Sequence, residues 1–361
     1  MSKQRQTSIY ETLVRPALFA LPPDLTNSIA HLALSARAPW RLLASMARLE
    51  VSEPVLKTRF AGVDLPSPIG LAAGFDKDCE LIGALSCIGF GFLTLGSIMP
   101  KPRPGHPYPR LVRYEQTESL ADSMGLPSRG LDYCVQRLKR ADRRSVPIFA
   151  NIGGFSAEEI AANYFAVEPF VDGIEVSLMC PNVSPDGFDD VALLRQILKK
   201  IERRRKPIIV RVPNNTANSE RLADLILCCI DGGIDGIKVV GGRPISEPRL
   251  GMKKGTLHGP AVFDAALQNV SRAAKIARGR IQIKANGGIR NGSDAFAMLC
   301  AGATCIDLYS AFIYQGWSVA RRINLELASL LRQKQSKITA TDSIIGAQPT
   351  RMSHRENFSV I

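Results

Sequence analysis

Eight short apolar segments, separated by helical patterns, recur along this chain and limit the folds open to it. Each is rich in β-branched residues and continuously apolar rather than alternating, which indicates strands buried on both faces. The segments are Ile69–Ala73, Phe92–Gly96, Ile148–Ile152, Ile174–Leu178, Ile208–Val212, Ile237–Val240, Ile281–Ala285 and Ile306–Tyr309.

The intervening sequence has helical spacing of its apolar residues. In one such stretch, Leu194, Leu198 and Ile201 lie on one face of a helix, with lysine and arginine opposite. Examples of these helical patterns are Ala157–Phe170, Val191–Arg205, Leu222–Ile230, Val262–Ala277, Ala295–Ala301 and Val319–Arg332. Eight strand–helix units predict parallel strands with crossover helices, and so an α/β fold of the (β/α)8 TIM-barrel type. An open, doubly wound sheet is the alternative.

The chain divides into three parts by composition. Residues 1–65 are an N-terminal helical extension, residues 66–333 the barrel, and residues 334–361 a polar tail that we expect to be flexible. The extension carries apolar residues such as Ile9 and Leu13 at helical spacing. It either caps the barrel or dips into a membrane interface. The segment 99–131 is too long for a plain strand–helix loop, and we expect it to cover the barrel mouth.

Charge and cysteine content narrow the function classes. The formal net charge of the 361 residues is +13, which is compatible with nucleic acid, an anionic membrane or an anionic substrate. The basic residues are scattered and no zinc spacing occurs, so neither a nucleic-acid partner nor a bound metal is predicted. The eight cysteines lie mostly in apolar runs, which favours buried thiols in a reducing, cytoplasmic compartment.

In a barrel of this type the functional residues lie where the strands end. Glycines after strand seven, Gly287 and Gly288, allow backbone N–H groups to approach a phosphate, and Ser310 after strand eight adds a hydroxyl. Tight turns alone would also explain these glycines. Small residues after strands one and two leave room for a flat ring. The permanent cation Arg211 needs an anionic partner, which a reduced flavin would supply.

Several motifs together resemble the dihydroorotate dehydrogenase family, specifically its quinone-reducing, membrane-associated class. They are LAAGFDKD (71–78), IGFGFLTLGSIMPKPRPG (88–105), PRLVR (109–113), NIG (151–153), SLMCPN (177–182), NGGI (286–289) and AGATCIDLYSAFIYQG (301–316). The N-terminal IYETLVRPALFALPPD is similar to the helical membrane extension of that class. The resemblance spans about residues 9–332.

This resemblance implies FMN as the cofactor. The positions that match the flavin contacts of the family are Ala72, Ala73, Gly74, Lys77, Ser97, Asn151, Asn182, Arg211, Gly259, Gly288, Tyr309 and Ser310. The family has lysine where this chain has Arg211. Arg113 and Tyr309 match positions near the quinone tunnel, which implies reoxidation by quinone and a peripheral location at the cytoplasmic face of the inner membrane.

The resemblance also assigns Cys180 as the catalytic base, which takes a proton from one substrate carbon while a hydride leaves its neighbour. The quinone class has serine there and the soluble classes have cysteine. A thiol, with an ordinary pKa of about 8.5, can serve as a base with modest help from nearby cations. An inert buried cysteine is the structural alternative.

The expected substrate positions depart from the family pattern. Lys77 and Asn182 are kept, whereas Asp122, Ser177 and Gly241 stand where the family has asparagines. An aspartate would repel the carboxylate of dihydroorotate. Three hypotheses therefore remain: a divergent dihydroorotate dehydrogenase, a paralogue acting on another substrate with the same flavin chemistry, and a flavin-binding protein without turnover.

Overall fold

The computed structural model describes residues 8–141, 146–178, 190–212 and 219–345. Eight parallel strands close into a barrel in chain order, each pairing with the next and the last with the first. The barrel strands are Ile69–Leu71, Phe92–Ile98, Ile148–Ile152, Gly173–Ser177, Ile208–Val212, Gly236–Val239, Gln282–Asn286 and Cys305–Leu308. The predicted α/β barrel is confirmed and the open sheet is excluded.

Helices surround the barrel and bury their apolar faces against the strands. They are Ile82–Leu85, Leu131–Arg140, Ala157–Val167, Asp190–Lys200, Ser219–Asp231, Phe263–Ala277, Gly292–Cys300, Ser310–Gln315 and Val319–Ile345, with short 3₁₀ turns at Pro54–Leu56, Glu115–Thr117, Glu168–Phe170 and Pro260–Val262. The last helix continues well past Arg332, where the sequence pattern places its end.

The N-terminal extension begins with a π-helical turn, Tyr10–Val14, followed by the helices Arg15–Phe19, Pro23–Ser35 and Arg37–Met46. None of the helices in the described residues combines the length and the apolar character needed to cross a membrane.

A hairpin of two antiparallel strands, Thr58–Phe60 and Val63–Leu65, ends this extension where the sequence predicted more helix. Phe60 packs edge-on against Phe149 with ring centroids 6.2 Å apart, and Phe92 joins the same cluster. Since both partners lie near the start of barrel strands, the hairpin closes the bottom of the barrel. The pattern missed it because strands of three residues are too short to show a period.

Loops at the opposite end of the barrel form a second, four-stranded antiparallel sheet. Its order is Arg243–Ser246, Lys254–His258, Ser119–Asp122 and Leu111–Tyr114. Two strands come from the long segment after barrel strand two, which was expected to cover the mouth, and two from the loop after barrel strand six. The second pair was not predicted, since its residues are largely exposed and polar.

Candidate active site

Four ionisable side chains form a layer inside the barrel, above the aromatic bottom. The ammonium Nζ of Lys238 lies 2.7 Å from Asp307 Oδ2 and 3.3 Å from Glu175 Oε1. Lys284 Nζ lies 2.5 Å from Glu175 Oε2 and 3.6 Å from Asp307 Oδ2. All four residues are buried, and two cations balance two anions.

The pKa values reflect this balance. Burial works to raise the pKa of Glu175, but the charges of Lys238 and Lys284 outweigh it and hold the pKa well below its ordinary value. Burial works to lower the pKa of Lys284, yet Asp307 and Glu175 raise it. The pairing therefore stabilises the charged forms of Glu175 and Lys284, because losing one charge would leave its partner buried and unpaired.

Polar side chains from neighbouring strands adjoin the ionic layer. Asn151 Nδ2 donates to Glu175 Oε1 at 2.8 Å and to Ser177 Oγ at 3.0 Å. Arg211 is directly opposite Ser177 on one side and Lys238 on the other, and its charge helps to lower the pKa of Glu175. The predicted residues Asn151, Ser177 and Arg211 therefore belong to one continuous polar interior.

The loop after barrel strand one forms part of the rim. The backbone N–H of Gly74 donates to Gly96 O at 2.7 Å, which joins this loop to barrel strand two, where Ser97 follows. Ala72 is buried and bonded to Leu308 O, and Ala73 comes next in the chain.

Lys77, at the end of the same rim loop, is the cation that the sequence placed at the mouth. Its Nζ donates to Gly74 O at 2.5 Å. Burial lowers the pKa of Lys77, although the nearby carboxylates of Asp122, Asp78 and Asp76 oppose this shift.

The glycines after barrel strand seven approach neighbouring backbone closely. Gly288 has φ +72°, and a Cβ there would lie 2.8 Å from the carbonyl of Gly259. A Cβ at Gly241 would lie 2.4 Å from the Cα of Gly287. In this structure, position 241 therefore has no room for a side chain. Gly259, predicted as a flavin contact, therefore lies beside Gly288 of the predicted phosphate loop, and buried Ser310 follows strand eight.

A carboxylate–imidazole pair lies at the mouth. His258 Nε2 is 2.7 Å from Asp122 Oδ2, and the imidazole ring is 6.2 Å from the ring of Tyr309. Burial works to raise the pKa of Asp122, but the hydrogen bond and charge of His258 and the charge of Lys77 lower it overall. Burial and then the charge of Asp122 raise the pKa of Tyr309.

An aromatic row connects the mouth with the N-terminal helices. His31 stacks on Phe75 with centroids 5.8 Å apart, and Phe75 is 6.3 Å from Tyr309. Arg113 lies over the ring of Phe19 at 4.3 Å and donates to Phe19 O at 3.1 Å. Both residues predicted for the quinone tunnel therefore lie near the extension.

Two predicted residues, Cys180 and Asn182, lie outside the described residues. The strand that leads to them ends at Ser177, at the expected end of the barrel. Their assigned roles stay predictions.

The sequence reading missed the ionic layer and His258. A signal for the layer was present, because each of its residues interrupts an apolar strand: GIEVS, GIKVV, QIKAN and CIDLY. Since side chains in a strand alternate in direction, the register with Arg211 could have placed Lys238 inward. No local signal could link His258 with Asp122, because the strands that carry them are far apart in sequence.

Comparison with known proteins decides the family. The family model described as dihydroorotate dehydrogenase matches residues 55–331. The chain belongs to the dihydroorotate dehydrogenase family. A relative named dihydroorotate dehydrogenase (quinone) from Azorhizobium caulinodans is 34% identical over 89% of this chain and 94% of its own length. One of the same name from Halobacterium salinarum is 31% identical over 89% and 95%.

Solved structures of dihydroorotate dehydrogenases have the same fold. The crystal structure of DHODH from Eimeria tenella in complex with ferulenol matches with a TM-score of 0.77 and 26% identity, over 88% of this chain and 96% of that one. Membership of the family makes this protein an oxidoreductase acting on CH–CH groups.

Proposed function

We propose that this protein binds FMN across the mouth of the barrel and oxidises dihydroorotate or a related dihydro-heterocycle, with quinone as the final acceptor. The single observation that carries the proposal is the closed barrel of the dihydroorotate dehydrogenase family, with small residues at its mouth and Arg211 as the unmatched cation of its described strands. The relatives bear a name that specifies quinone, which supports the same acceptor here.

The residues at the mouth fit FMN. Gly259 and Gly288 bring two backbone segments together where a Cβ would not fit, and buried Ser310 adds a hydroxyl. Backbone N–H groups in such a concave arrangement bind phosphate well. When bound, FMN supplies a two-electron acceptor for hydride.

The interior charges suit a cofactor that becomes anionic. Among the described barrel strands, Lys238 and Lys284 are matched by Glu175 and Asp307, which leaves Arg211 as the charge in excess. A permanent cation at this height stabilises negative charge on a ring above it. Arg211 thus supplies the positive charge that a lysine supplies in the family.

In the proposed reaction, Cys180 accepts a proton from one carbon of the substrate and the neighbouring carbon gives up a hydride. Asn182, Ser177 and Lys77 hold the polar edge of the substrate. These groups together fix the ring so that both C–H bonds point to their acceptors, which lowers the entropic part of the barrier.

The N-terminal helices are proposed to guide quinone from a membrane surface. Several large apolar residues on them are exposed: Ile9, Leu13, Leu25, Leu32, Leu42 and Met46. Several exposed large apolar residues on one short set of helices favour an interaction site, and on helices without a spanning segment such a site suits a bilayer interface. The aromatic row from His31 through Phe75 to Tyr309 gives an apolar path from these helices to the mouth. The exposed apolar residues support peripheral attachment to a membrane, and we propose the cytoplasmic face of the inner membrane as its location.

FMN binding is tested by Gly288→Ala with Gly279→Ala as its matched control. Both glycines have similar positive φ, +72° and +75°, so the backbone strain is alike. Only at position 288 does the added Cβ meet another backbone atom, whereas nothing lies within 4 Å at position 279. We expect Gly288→Ala to weaken FMN binding more than tenfold in a fluorescence titration, and Gly279→Ala to leave it unchanged. Equal FMN affinities of the two variants would contradict a phosphate site at Gly288.

A second candidate, the same flavin chemistry on a substrate other than dihydroorotate, is favoured by the ionised Asp122 at the mouth.

A further inference from the structure

The sheet at the mouth brings one carboxylate and one imidazole to the same face. Asp122 pairs with Thr256 across the antiparallel strands, and His258 lies two residues further along. Side chains two residues apart on a strand point the same way, so Asp122 and His258 are diagonal neighbours. Their 2.7 Å contact fixes the carboxylate in one orientation.

This pair belongs to the site rather than to the outer surface. The side chains of Asp122 and His258 are 17% and 24% exposed. The ring of His258 lies beside Tyr309, at the end of barrel strand eight. Lys77, in the loop after barrel strand one, which pairs with strand eight, interacts with Asp122 through its charge. The carboxylate therefore lies close to the ends of two adjacent barrel strands at the mouth.

A ligand at this mouth meets a negative charge that stays in place at neutral pH. His258 and Lys77 both stabilise the ionised form of Asp122. A ligand carboxylate brought against it would be repelled, whereas an N–H donor would form a charge-assisted hydrogen bond. Specificity often comes from such a built-in unfavourable contact with the wrong ligand.

We propose that Asp122, held by His258, selects a reduced heterocycle that presents N–H donors and lacks a carboxylate, such as a neutral cyclic ureide. The inference rests on the proposed function, because it names the substrate class of the same site. It separates this chain from relatives that are named for dihydroorotate.

Uracil and orotate are suitable probes, since they differ only in the carboxylate of orotate. Their affinities are measured by equilibrium dialysis on the FMN-saturated, full-length protein, which reads binding without turnover. We expect uracil to bind at least tenfold more tightly than orotate. Preference for orotate, or binding of neither, would overturn the inference.

Asp122→Asn removes the charge and keeps the shape, so we expect orotate affinity to rise at least tenfold. The matched control is Asp64→Asn, whose side chain is 90% exposed on the hairpin at the barrel bottom and which should change neither affinity. If the ratio of uracil affinity to orotate affinity is unchanged in Asp122→Asn, the proposed role of its charge is refuted.

A second variant, His258→Asn, guards against a merely structural effect. It removes the partner but leaves the carboxylate, so orotate should stay as weak as before or become weaker. A gain in orotate affinity like that of Asp122→Asn would also overturn the inference. Failure of FMN to bind at all would defeat the proposed function instead, and a separate flavin titration shows it.

Discussion

At the scale of single residues, the site combines groups whose charges are fixed by their neighbours. Arg211 is a permanent cation, and His258 keeps Asp122 ionised at the mouth. Lys77 is the exception, because burial lowers its pKa while nearby carboxylates oppose the change. The mouth therefore holds charges of both signs in a small volume, which favours an oriented polar ring over a simple anion.

The proposed base is tested by Cys180→Ala. The variant should keep its flavin colour but reduce flavin more slowly by a factor of about 10² to 10⁴, since a positioned base contributes about that much. Stopped-flow absorbance under anaerobic conditions measures the rate. Cys300→Ala removes an exposed thiol as the control and should react at the normal rate. Normal reduction in Cys180→Ala would reject the assignment.

At the scale of elements, the ionic layer joins four barrel strands beneath the mouth. Glu175 contacts both lysines, so its removal leaves two buried cations with one anion. Breaking a buried pair from one side costs far more than the pair contributes by itself. The strands that carry Asn151 and Arg211 depend on this layer for their relative position.

Glu175→Gln should lower the free energy of unfolding by about 3 kcal/mol, or Tm by about 4 °C. Glu158→Gln, the control, breaks a surface pair of 2.8 Å with Lys200 and should change Tm very little. Thermal denaturation followed by circular dichroism measures both. Similar Tm values for the two variants would contradict the claim that the buried ion pairs of Glu175 stabilise the fold.

The same variant gives a pH dependence. Since the folded-state pKa of Glu175 is lowered, its stabilising contribution is present above pH 4.5, the ordinary pKa of a glutamate, and is lost as pH falls further. The gap in Tm between wild type and Glu175→Gln should therefore narrow below pH 4.5. A constant gap down to strong acid would show that Glu175 is not paired as described.

The N-terminal helices are a second element with a testable surface. Leu32 and Met46 are 75% and 76% exposed, and changing both to glutamate should abolish cosedimentation with anionic vesicles. Leu227→Glu, at a 38% exposed apolar position on a barrel helix, serves as control and should leave binding intact. Vesicle binding that survives the double change would place the membrane contact elsewhere.

At the scale of the whole molecule, the barrel follows from its sequence because each buried strand is a continuous apolar run. The residues that end these strands could also be named, since all parallel strands end at one side. The bottom hairpin and the Asp122–His258 pair could not be predicted. The hairpin strands are too short for a period, and the pair depends on a register between strands far apart in the chain.

The central claim is that a flavin at the barrel mouth takes hydride from a reduced heterocycle. Its most direct test is the visible absorbance of the FMN-loaded protein under anaerobic conditions, before and after addition of dihydrouracil and, separately, dihydroorotate. Loss of the flavin band is predicted with dihydrouracil, and slower or weaker loss with dihydroorotate. A band that persists with both substrates would contradict the account.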